Sequence, residues 1–62
     1  MNTSVVMTNG RSYLLSVKYD DFMKAVKSNL ENGIAFQETK TILGVKVSLK
    51  ISEISEVCVS QV

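Results

Sequence analysis

Lys40, Lys46 and Lys50 lie in a stretch with no acidic residue between Glu38 and Glu53. Lys46 and Lys50 stand four apart in an alternating segment. In a β-strand both then project from one face, with Ser48 between them. Ammonium groups in such a row contact phosphate oxygens, and Arg11 adds a further cation if the fold brings it near. The chemistry on offer is anion binding, in one of two forms. A nucleic-acid backbone could run along the lysine face. Alternatively, a small anionic ligand such as a nucleotide could be held at a subunit interface by the lysines, Ser48, Thr39, Thr41 and backbone amides. The competing account of three lysines on a strand is solubility and protection of a sheet edge.

Residues for bond-breaking chemistry are scarce. The chain has no histidine, the most common general base. Cys58 is the one cysteine, and it sits between two valines with no base near it in sequence. It reads as a small buried hydrophobe. Asp20-Asp21 reads as helix-start electrostatics, and Glu53 with Glu56 as solvated turn residues. Gly10, Gly33 and Gly44 stand singly in turns, so no phosphate-cradling glycine loop exists. One thiol without histidine does not fill a tetrahedral zinc site. The expectation is a protein that is not an enzyme and uses no cofactor or metal.

Size explains why such a chain would seek a partner. At 62 residues there is room for a single domain, 1–62. A chain of this length buries only about 60% of the surface its unfolded form exposes. Small domains compensate with disulfides, metals or a partner subunit. The first two are excluded on the grounds just given, which leaves oligomerisation. A net charge of +1 is too balanced for a polyanion-binding tail or a membrane-surface anchor. The start "MNTSVVMTNGRS" lacks the basic and apolar regions of a secretory signal. No apolar run approaches the ~20 residues that span a bilayer. These features predict a cytoplasmic protein without a membrane partner.

The elements that would position the lysines follow from periodicity. Ser4 to Thr8 is β-branched and predicts a first strand. Asn9-Gly10 predicts a type I′ hairpin turn, which places both residues at positive φ. Arg11 to Val17 returns as a second strand, with Arg11, Tyr13, Leu15 and Val17 on one face and Leu14 on the other. Tyr19, Phe22, Met23, Val26 and Leu30 then form one stripe of an α-helix. Asn32-Gly33 ends it, with Gly33 as the left-handed residue. Ile34 to Thr39 starts a third strand whose Phe36 is expected in the core. After a turn at Gly44, Val45, Val47, Leu49 and Ile51 alternate with polar residues as a half-buried strand. "SEIS" predicts a 3₁₀ turn, and Val57 to Val59 a short last strand. The fold class is α+β: an antiparallel sheet of four to five strands, in the order ββαβββ, with one amphipathic helix.

One helix covers only part of such a sheet. It is expected over Tyr13, Leu15, Val17, Val47, Leu49 and Ile51, leaving Val6, Leu14, Ala35, Cys58 and Val62 on the other side. Each Val- or Leu-sized side chain left wet forfeits about 1.5–3 kcal/mol. The sheet either curls into a small barrel, the last strand closing on the first, or pairs with another copy by its bare face or an edge. The 3₁₀ turn before a last strand resembles SH3-like and Sm-like barrels, although the long helix does not match an ordinary SH3 domain. The homo-oligomer is the leading expectation.

The layout "MTNGRSYLLSV", then "YDDFMKAVKSNLENG", then "GVKVSLKISEISEV" resembles short accessory proteins of phages and prophages in low-GC Gram-positive bacteria. There a hairpin opening on Asn-Gly precedes a helix and an I-x-x-I closing strand. The resemblance implies a tiny, often oligomeric protein that binds and modulates a component of host or phage. It transfers no functional residue. The resulting expectation is an inhibitor or regulator with a protein partner, engaged through a strand edge or the lysine face. Sequestration of a small anionic ligand and nucleic-acid binding are the alternatives.

Overall fold

The computed structural model describes residues 2–60. Strands β1 (Asn2–Met7) and β2 (Ser12–Leu15) form the first hairpin, and helix α1 (Tyr19–Glu31) follows. Strands β3 (Phe36–Lys40) and β4 (Lys46–Lys50) form the second hairpin. A 3₁₀ turn at Ile51–Glu53 then leads into β5 (Ile54–Ser60). The order ββαβββ and the α+β class are as expected. The last strand is longer than expected, because the 3₁₀ turn begins at Ile51 and hands over at Ile54.

All pairings are antiparallel, in two sheets ordered β2-β1-β5 and β3-β4. β5 does lie against β1, yet the ladders do not close into a barrel. The two sheets meet at a seam. Leu15 bridges Thr41, the Ser16 amide donates to the Lys40 carbonyl (3.1 Å), and the Ile42 amide to the Leu14 carbonyl (3.0 Å).

The first hairpin departs from the expected type I′ turn. Among the described residues only glycines have positive φ, so Asn9 is not left-handed while Gly10 is, at φ 89°. The Gly10 amide donates to the Met7 carbonyl (3.0 Å) and the Met7 amide to the Arg11 carbonyl (2.7 Å). This is a three-residue loop, a type I turn closed by one left-handed glycine. The Asn9 side-chain carbonyl accepts the Arg11 amide (2.9 Å). The second hairpin repeats the design. The Thr41 amide donates to the Val45 carbonyl (2.9 Å), the Gly44 amide to the Thr41 carbonyl (2.9 Å), and Gly44 has φ 81°.

α1 stops where glycine allows it. The Ile34 amide donates back to the Asn29 carbonyl (2.8 Å) and the Gly33 amide to the Leu30 carbonyl (3.2 Å), with Gly33 at φ 72°. That is the Schellman arrangement, which satisfies carbonyls left over at a helix end. The Asn29 side-chain amide then ties the helix to β3, donating to Gln37 Oε1 (2.6 Å) and the Phe36 carbonyl (3.3 Å).

The core comprises Val5, Met7, Leu15, Phe22, Val26, Leu49 and Ile51, with Tyr13, Val17, Val47, Ile54 and Val57 packed against it. The face expected under the helix is therefore the face that is covered. Thr3 is the one buried polar side chain among the described residues, and its hydroxyl donates to the Val17 carbonyl (2.7 Å). The bond holds the chain as it leaves β2 for the helix. No buried side-chain polar atom among the described residues lacks a partner.

Several expected core residues stay outside. Phe22 and Val26 are buried, but Met23 and Leu30 of the same stripe are exposed. Phe36 is 49% exposed rather than in the core, because it opens β3 on the outward phase of the pleat. Among the described residues, no helix is long and apolar enough to cross a membrane.

Candidate functional site

The register of β3 and β4 brings most of the predicted binding residues together. Lys40 lies directly opposite Lys46, Ser48 opposite Glu38, and Lys50 opposite Phe36. Directly opposed residues share a face, and so do residues two apart along a strand. Lys40, Lys46, Ser48 and Lys50 therefore occupy one outward face, joined by Phe36 and Glu38. The alternate residues Gln37, Thr39, Val47 and Leu49 turn inward and are half-buried or buried. An open hollow of about 560 Å³ is lined by Glu38, Thr39, Lys40, Lys46, Val47 and Ser48. Arg11 is not part of this surface. It is exposed at the end of the other hairpin loop, just before β2, so the expected fourth cation is missing from the face.

Electrostatically the face is mixed. Like charges directly opposite across a ladder cost about 0.2–1 kcal/mol, and Lys40 facing Lys46 accepts that cost at the end of the ladder nearest the loop. Glu38 offsets part of the positive field in the middle of the face. The arrangement offers two neighbouring ammonium groups to an anionic group and one half-exposed aromatic ring beside Lys50.

The loop beyond Lys40 and Lys46 holds the residues that sequence reasoning missed. Ile42, Leu43 and Val45 are 44%, 85% and 56% exposed. The hairpin therefore ends in an apolar tip flanked by two lysines. A second apolar surface lies along α1, where Met23, Lys24, Val26, Lys27 and Leu30 line a shallow groove of about 370 Å³. The clue to the tip was present, since Ile-Leu occupies the centre of a loop whose turn has no use for apolar side chains.

The predicted oligomer face is brought together only in part. Register pairs Leu14 with Ser4 and Ser4 with Cys58, and Ser12 with Val6 and Val6 with Glu56. Leu14, Val6 and Cys58 thus share the outer face of the three-stranded sheet. Serines and a glutamate interleave them, and Leu14 and Val6 are already half-buried. Cys58 is exposed rather than a buried hydrophobe, because β5 turns it away from the core. Ala35 is not on this face. It precedes β3, where its carbonyl accepts the Ile51 amide (2.9 Å) and belongs to the other sheet. Val62 lies outside the described residues. Comparison adds no relative to this geometry: no family model, no curated protein and no solved structure matches the chain.

Proposed function

We propose that this chain is a non-enzymatic binding module, working as a small homo-oligomer and acting as an inhibitor or regulator through contact with another protein. The phage-type setting rests on the layout of the sequence. The observation that carries the binding role is Leu43, 85% exposed at the tip of the second hairpin beside Ile42. Leaving a leucine in water forfeits about 1.5–3 kcal/mol of burial, and the turn gains nothing from it. A partner that recovers this energy presents an apolar pocket with an acidic rim, complementary to Lys40 and Lys46.

A second reading is favoured by the outward face of β3-β4, where three lysines and Phe36 stand together. Lysines that track a backbone and an aromatic ring on which a base stacks are the elements of single-stranded nucleic-acid binding. A small anionic ligand in the hollow uses the same lysines.

One experiment separates these readings. The protein is immobilised and offered cell extract and a labelled oligonucleotide in parallel, at rising salt. For the leading reading, Leu43→Asn reduces capture of the protein partner at least tenfold while the melting temperature is held. Capture of oligonucleotide that falls steeply with salt, and is untouched by Leu43→Asn, would instead assign the function to the lysine face. Equal protein capture by both variants removes the hairpin tip from the mechanism.

A further inference from the structure

We infer that β5 pairs with β5 of a second copy, antiparallel about a two-fold axis through Cys58, to make one continuous sheet across a dimer. This inference rests on the oligomeric reading above and names the surface that would build the oligomer.

The direction of the backbone groups carries the argument. The Met7 amide donates to Arg11 in β2, while the next residue, Thr8, donates to the Glu53 carbonyl (2.8 Å) on the β5 side. Odd-numbered residues of β1 therefore address β2, and even-numbered ones address β5. Ser4 faces Cys58 and Val6 faces Glu56, so Cys58 and Glu56 spend their backbone groups on β1. The alternate residues, Val57 and Val59, turn their N–H and C=O groups the other way. Among the described residues, sheet order places no strand there.

That edge is self-complementary. The register with β1 shifts between Val6 and Met7, so the regular part of β5 begins at Glu56. With the axis at Cys58, Val57 of one copy meets Val59 of the other, and each pair exchanges both backbone hydrogen bonds. Glu56 meets Ser60, and no like charges oppose one another. Val59, 46% exposed, gains an apolar cross-strand neighbour in Val57 of the second copy. The other free edge contrasts with it. β4 carries Lys46 and Lys50, the usual guard against strand addition, whereas β5 has no lysine and no proline.

The axis makes Cys58 a reporter. Its residue pair is the non-hydrogen-bonded kind, with Cα atoms about 4.5 Å apart, inside the range that a disulfide spans. Light scattering on the reduced protein at micromolar concentration should give twice the 6.8 kDa protomer mass. Diamide, which takes up the two electrons and two protons, should then convert the pair to a disulfide-linked dimer on a non-reducing gel. Cys58→Lys opposes two ammonium groups at the axis and should halve the mass while the circular dichroism is kept. Val57→Pro removes an outward N–H that the ladder with β1 does not use, and should do the same. A monomeric wild-type protein overturns both this inference and the oligomeric part of the proposed function. An oligomer that resists Cys58→Lys and forms no disulfide overturns the β5 edge alone.

Discussion

The two hairpin loops have one backbone and opposite surfaces. Met7 to Arg11 and Thr41 to Val45 close with the same pair of hydrogen bonds and the same left-handed glycine. In the first loop the central residues are Thr8 and Asn9, and both are put to structural use. The Thr8 hydroxyl bonds to a Glu53 carboxylate oxygen, and the Asn9 side chain caps the Arg11 amide. In the second loop the same positions hold Ile42 and Leu43, which point into water. Since the geometry is shared, it cannot be what requires two apolar residues in the second loop. The difference separates what folding asks of this turn from what the surface asks of it.

The glycine common to both loops is the first test of their equivalence. Gly10→Val and Gly44→Val each force a branched side chain to positive φ, at a cost of about 1–2 kcal/mol. Urea unfolding should show losses of similar size in the two loops. A loss at only one of them would mean that the loops are not equivalent. Exchange of the central pairs separates the two loops. Thr8→Ile with Asn9→Leu removes two side-chain hydrogen bonds worth about 0.5–1.5 kcal/mol each. The reverse exchange, Ile42→Thr with Leu43→Asn, should leave stability within about 0.5 kcal/mol, as surface changes do. A further effect concerns the lysines behind the second loop. Lys46→Glu replaces a like-charge pair with an opposite one and should add about 0.2–1 kcal/mol, a gain that shrinks as salt rises. A loss of stability there would show that Lys40 and Lys46 are not in conflict.

The same contrast explains which parts of the molecule were legible in the sequence. The helix was, because its 3.6-residue spacing and the closing Asn32-Gly33 state one answer twice. The alternation gave β4 its inner face at Val47 and Leu49, and hence placed Lys46, Ser48 and Lys50 on one outer face, although Val45 falls in the exposed loop and Ile51 in the 3₁₀ turn. The turn type is ambiguous in the sequence, because Asn-Gly serves a two-residue loop with two left-handed residues and a three-residue loop with one. Hydrophobicity alone places Phe36, Met23 and Leu30 in the core, because it does not say which part of an apolar face is covered. Only the placement of one helix on three strands decides which part of its stripe is used. Leu43 was legible as a loop residue, since "KTILG" marks the turn, but its exposure depends on whether a neighbouring element covers the tip.

β1 is the middle strand of its sheet, and its second neighbour is β5, nearly fifty residues away in the chain. During synthesis β1 and β2 emerge first, and the β5-facing backbone groups of Ser4 and Val6 stay unpaired until residues 54–60 follow. At about 5–20 residues per second that interval lasts seconds, far longer than the microseconds in which a hairpin closes. The nascent chain thus carries an open, lysine-free strand edge next to the ribosome, and premature termination before β5 would release it in that state.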